Sequence, residues 1–107
     1  MHEFKWSPSE KAIARRAFDQ ALQSELQQLV REAKGRAAAI TEASELWQLE
    51  SWLTESRREI DRKYDYRYSV LPFIFAQLVK QGLVAESDLH GLDPEKIQVI
   101  LGIASRL

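Results

Sequence analysis

The chain has 107 residues, a formal net charge of −1 and no cysteine. Its length suits one domain, and its apolar and charged fractions are those of an ordinary globular protein. The missing thiols exclude disulfides, thiolate catalysis and the usual zinc ligands, and the small charge excludes a strong field for nucleic acid or anionic membrane.

The N-terminus, MHEFKWSPSE, has no apolar h-region and does not read as a signal peptide. No apolar stretch approaches the ~20 residues that span a bilayer. A soluble, cytoplasmic protein is expected. Residues 1–6 look like a loose lead-in. Ser7-Pro8-Ser9-Glu10 is a strong helix start: Ser7 can cap, Pro8 suits the first helical position, and Glu10 stands where a capping box wants an acid. Phe18, Leu22, Leu26, Leu29, Ala33, Ala37 and Ile40 then recur at spacings of four and three, one helical face. A helix from Pro8 to about Ala38 would be roughly 45 Å long, against a radius of gyration of about 13 Å for a compact chain of this size. Its stripe overhangs what the chain can cover, which predicts a homodimer packed through Leu29, Ala33, Ala37 and Ile40. The alternative is a break near Gly35, with the helix folding back within the monomer.

Thr41 or Ser44 can cap a second helix that ends between Arg62 and Asp65, with Leu46, Leu49, Leu53 and Ile60 facing a core. Tyr64 to Tyr68, YDYRY, reads as a helix end plus connector, its tyrosines packing there. A third helix starts near Ser69, tolerates Pro72 in its first turn, and is apolar nearly all round, so it should be the most buried. Gly82 supplies the expected left-handed cap. Residues 87–90 suggest a short helical turn, and Asp93-Pro94 opens a last helix that faces inward through Ile97, Ile100, Leu101 and Ala104. The fold class is all-α: one long N-terminal helix and three shorter ones in a single domain over 1–107, assembled as a helical homodimer.

No chemistry-bearing constellation appears. His2 and His90 stand alone, the glycines are scattered, and the carboxylates sit among lysines and arginines on helix faces. No enzyme, metal site or cofactor is expected. Arg57, Arg58, Arg62 and Lys63, followed by three tyrosines, hint at a nucleic-acid surface. Interleaved Glu55, Glu59, Asp61 and Asp65 leave too little charge for a phosphate track. The segment GLVAESDLHGLDPEKIQVI only loosely suggests a helix-turn-helix, and its last helix offers few readers of bases.

One residue stands out. Trp47 lies about 130° from the middle of the Leu46–Leu49–Leu53–Ile60 sector. Around it are Glu50, Ser51 and Thr54, then Arg58 and Asp61 one turn on, with Arg57 toward the flank. Tryptophan and arginine are the residues most enriched at interface hot spots. Spacing alone leaves two readings open: a packing residue covered by the dimer partner or the first helix, or a recognition residue.

ELWQLESWL (Glu45 to Leu53), Arg57 through Ile60-Asp61, KYDYRYSVL (Lys63 to Leu71) and FIFAQLVKQG (Phe73 to Gly82) resemble the pattern of the cyanobacterial fluorescence recovery protein family. GLDPEKI and the N-terminal tryptophan with Ser-x-x-Glu fit as well, so the likeness spans nearly the whole chain. It implies an all-helical dimer with no chromophore of its own. Such a protein binds the light-activated red form of the orange carotenoid protein, mainly at its C-terminal domain. It speeds return to the orange form and release from the phycobilisome, which would place it peripherally at the cytoplasmic face of the thylakoid. The resemblance assigns partner binding to Trp47 and Arg57, with Glu50, Ser51 and Thr54 between them. The family carries His then Asp where this chain has Glu50 and Ser51, and an aliphatic residue where it has Pro72. Those departures leave a second reading: a fluorescence-recovery-like homologue with another partner.

Overall fold

The computed structural model describes residues 4–107. Four α-helices run α1 (Pro8–Ala38), α2 (Ala43–Lys63), α3 (Leu71–Lys80) and α4 (Pro94–Ser105), with a 3-10 turn at Glu86–Leu89 before α4. Among the described residues there is no strand, only an isolated bridge between His90 and Leu92.

α1 starts where its capping sequence predicts. The Glu10 N–H donates to the Ser7 hydroxyl at 3.2 Å, and the Ser7 N–H donates back to Glu10 Oε1 at 3.0 Å. The other oxygen, Oε2, accepts from the Asp93 N–H at 2.9 Å and the Lys96 ammonium at 2.8 Å. One buried carboxylate thus caps α1 and fastens it to the start of α4. The Lys96 ammonium also lies 5.2 Å from the Trp6 ring and 5.6 Å from that of Phe4. Residues 4–6 are therefore docked, a correction to the loose lead-in expected there; His2 lies outside the described residues.

The core gathers around α3. Phe75, Leu71, Leu78, Leu89 and Ile100 are its largest fully buried side chains, closed on one side by Ala14, Ala17, Phe18 and Ala21 of α1. α3 is the most buried helix, as expected, with Leu71, Pro72, Phe75, Ala76 and Leu78 inside, although Phe73 is 45% exposed. It begins at Leu71 rather than near Ser69, which puts Pro72 within the first turn. It ends with N–H groups of Gly82 and Leu83 on the carbonyls of Val79 and Leu78, Gly82 taking φ +75°. Gly91, at φ +102°, passes so close to α1 that an added Cβ would lie 2.5 Å from Ile13 Cδ1.

The connector is irregular: Tyr64, Asp65 and Tyr66 are half-buried, and Arg67 and Tyr68 are exposed. Tyr64 and Tyr66 meet Phe18 edge-on with centroids at 5.4 and 4.9 Å, and Tyr68 stacks near Trp6 and Tyr66. Asp65 and Arg67 pair with one another. The tyrosines pack at the connector, as expected.

Beyond Ala21, α1 leaves the core and runs on through Gly35 to Ala38, as the continuous reading expects, and the alternative break near Gly35 does not occur. α2 lies antiparallel along it. Arg36 stacks 4.5 Å from Trp52, and Glu25 accepts from Lys63 at 2.7 Å and from the Tyr64 hydroxyl at 2.8 Å. Burial, then the Glu25 hydrogen bond, pushes the Tyr64 hydroxyl well above its usual range. α2 is not capped by Thr41 or Ser44. Its N-cap is Glu42, and the Glu45 carboxylate reaches back to accept from the Thr41 hydroxyl and the Glu42 N–H. An acid one turn inside can serve the N-terminal donors as well as a hydroxyl at the cap.

The hairpin makes the molecule long. Its extents are 53 × 24 × 23 Å and its radius of gyration is 16.9 Å, against about 13 Å for a compact chain of this length.

Three bonds to the ionised form, the Lys96 bond foremost, hold the Glu10 carboxyl at about 2, against the usual 4.5. A depressed folded-state pKa contributes stability that is complete above the unfolded value and lost as pH falls through the folded one. Thermal stability should therefore drop between about pH 4.5 and pH 2. Glu10→Gln should cost about 3 kcal/mol at neutral pH by stranding Lys96, and should flatten that acid limb. An unchanged limb in the variant would count against this assignment.

Candidate functional site

The face of α2 turned away from α1 holds every partner-binding residue expected from the sequence. Its position follows from how α2 sits. The half-buried residues Glu45, Leu49, Trp52, Ser56, Ile60 and Lys63 recur at spacings of four and three, and this is the face on α1. At ~100° per residue its middle lies opposite Trp47. The tryptophan is 62% exposed, the most open large apolar side chain among the described residues.

The expected Leu46–Leu49–Leu53–Ile60 core face needs correction. Leu49 and Ile60 are half-buried, but Leu46 and Leu53 are 49% and 44% exposed, and α2 has no fully buried residue. Trp52 is half-buried beneath the Arg36 guanidinium. The reason is geometric. α2 packs chiefly against α1, which covers one face of it. The docked face centres on Trp52 and Ser56, which leaves Leu46 and Leu53 on an edge.

Around Trp47 the face is polar and open. Glu50, Ser51, Thr54 and Arg57 are exposed. Arg58 Nη1 lies 2.9 Å from Glu55 Oε1, and Arg57 Nε lies 4.0 Å from Asp61 Oδ2. Exposed pairs one turn apart are worth roughly 0.3–0.5 kcal/mol, so these arginines can exchange their partners for others at small cost. The face is therefore suited to recognition: an aromatic anchor, two loosely held guanidiniums, and carboxylate and hydroxyl groups between them.

The residues expected at a dimer interface lie on the outer part of α1 and just beyond it. Leu29, Ala33 and Ile40 are half-buried, and Ala37 is exposed. Sequence spacing did not single out Val30, at 52% exposure, or the open edge of Leu46 and Leu53. The available signal was width: two apolar stripes in a two-helix hairpin present more surface than the pair can bury.

Residues 6–104 match the family model described as photoprotection regulator fluorescence recovery protein. The chain is 41% identical over 102 residues to the fluorescence recovery protein of Synechocystis sp. PCC 6803, covering 95% of this chain and 94% of that one. Among solved structures, that of the Fremyella diplosiphon fluorescence recovery protein superposes with a TM-score of 0.89 at 42% identity, covering 96% of this chain and all of the other. The Synechocystis sp. PCC 6803 protein gives 0.90 at 41% identity with the same coverage.

Exposure makes a prediction about stability. Trp47→Ala and Arg57→Leu should each leave helicity unchanged and stability within about 0.5 kcal/mol of the parent, measured by thermal or urea unfolding. A loss of 2 kcal/mol or more, roughly the cost of truncating a packed core side chain, would assign either residue to packing.

Proposed function

Because the chain belongs to the fluorescence recovery protein family of photoprotection regulators, we propose that it binds the photoactivated red form of the orange carotenoid protein, chiefly at the C-terminal domain. It then speeds that protein's return to the orange form and its release from the phycobilisome. Energy quenching ends and fluorescence recovers. The site of action is the cytoplasmic face of the thylakoid, reached through the phycobilisome; no described helix is long and apolar enough to cross a membrane.

The observation that carries this reading is Trp47, exposed on a helix face that nothing else among the described residues covers. Trp47 is the anchor, Arg57 the charged ally, and Glu50, Ser51 and Thr54 form the surface between them. No bond is made or broken, and the protein brings no cofactor. Its effect is differential binding: a surface that holds the closing state of its client more tightly than the open state lowers the barrier between them. Each tenfold gain in rate needs about 1.4 kcal/mol of such preference.

The working unit is a single-domain chain paired as a homodimer. A second copy would cover Leu29, Ala33, Ala37 and Ile40 on the outer reach of α1, and Leu46 and Leu53 on the edge of α2. Burying apolar surface gives ~25 cal/mol per Å², and no described element of this chain lies over these residues to do it.

One observation favours a second reading. Glu50 and Ser51 replace the family's His and Asp in the middle of the contact face. Ionised glutamate only accepts hydrogen bonds, and serine carries no charge. A family member with another protein partner would account for both.

One experiment separates the readings and a second tests the dimer. An orange carotenoid protein is photoactivated, this protein is added, and the red-to-orange return is timed in the dark. Acceleration is expected, with at least about tenfold loss in Trp47→Ala or Arg57→Leu. No acceleration at several-fold excess selects the other partner. Light scattering should give a dimer for the parent chain and a shift to monomer for Leu46→Glu with Leu53→Glu; a strictly monomeric parent would overturn the dimer.

A further inference from the structure

The polar face of α2 does not stop at its arginines. At ~100° per residue, Ser51, Arg58 and Arg62 all fall within about 60° of Trp47. Arg62 is also a wall of a groove of about 680 Å³ between the end of α2 and α3. Ile74, Gln77, Lys80 and Gln81 line it from α3, and Glu59 faces them from α2.

We propose that this groove receives an extended, carboxylate-bearing segment of the same protein partner that α2 engages. The inference rests on the binding role of α2 and adds a second contact to it. Charge supports it. Lys63 is neutralised by Glu25 at 2.7 Å, whereas the side chains of Arg62 and Lys80 have no hydrogen bond or ion pair within the described residues. Glu59 is the one side-chain carboxylate among the residues lining the groove, which also include Leu107, and it has no hydrogen bond or ion pair among the described residues. Lys80 is not needed to satisfy the end of α3, because Gly82 and Leu83 N–H groups already occupy the carbonyls there.

Shape supports it too. Gln77 and Gln81 are one turn apart, and their carboxamides, also free of internal partners, each offer a donor and an acceptor. An extended main chain presents both along its edge. Ile74 gives the floor an apolar spot for one side chain. Trp47, Arg58 and Arg62 share one stripe of α2, and Arg62 belongs both to that stripe and to the groove.

The test uses full-length protein and photoactivated orange carotenoid protein, with affinity measured across a salt series. Arg62→Glu with Lys80→Glu should weaken binding by about tenfold or more and lower its salt dependence. Glu59→Gln should tighten binding, the opposite sign for a neighbour on the same groove. All three side chains are exposed or open to the groove, so circular dichroism should show intact helices. Unchanged affinity in the double variant, with the parent binding, overturns the groove and leaves the α2 reading intact. A parent that does not bind overturns the orange carotenoid protein as the partner and, with it, both contacts proposed for it.

Discussion

The Glu10 carboxylate is the joint on which the rest of the structure depends. One oxygen completes the cap of α1, and the other takes the Asp93 N–H and the Lys96 ammonium from the start of α4. Two helices more than eighty residues apart in sequence are thus referred to one buried group. Breaking such a pair from one side costs more than the pair contributes, because a charge is left stranded in a poor solvent. The aromatic rings of Phe4 and Trp6 lie against the same ammonium and shield it. With α1 fixed at its root, its direction is set, and so is the position of everything carried on its outer reach.

That root also explains the division of the molecule. The core lies at one end, where α3, α4 and the first turns of α1 enclose Phe75, Leu71, Leu78, Leu89 and Ile100. α2 is held only by side chains along one face: Trp52 under Arg36, and Lys63 and Tyr64 on Glu25. A helix with no fully buried residue contributes little to a core but leaves most of its circumference for other molecules. The physical requirement for a regulator that acts by contact is a rigidly aimed surface, and here a packed root aims a sparsely packed arm.

Much of this was legible in the residues. Ser7-Pro8-Ser9-Glu10 announced α1, Gly82 the end of α3, and Asp93-Pro94 the start of α4, because caps are local chemistry and read locally. YDYRY was readable only as a connector with packed tyrosines; Tyr64 and Tyr66 do pack on Phe18, but Tyr68 stays exposed and Asp65 is half-buried, which no alternation predicts. What misled was the second helix. Its best apolar spacing, Leu46–Leu49–Leu53–Ile60, is not the face that docks. Docking follows what α1 offers, which is Arg36 for Trp52 and Glu25 for Lys63 and Tyr64, and no inspection of α2 alone contains that information.

The sequence by itself determined the all-helical class, the start of α1 and of α4, the glycine end of α3, the family, and Trp47 as an outward residue. Each of these depends on spacing, capping or motif within a short window. Only the tertiary structure decided that Glu10 would clamp α4 as well as cap α1, that Leu46 and Leu53 would stay open, and that Arg62 would stand at the mouth of a groove against α3. Those facts depend on which surfaces meet across long stretches of chain. Hydrophobic spacing gives the direction of a side chain around its own helix, but the rotation of that helix against its neighbour is set by the neighbour.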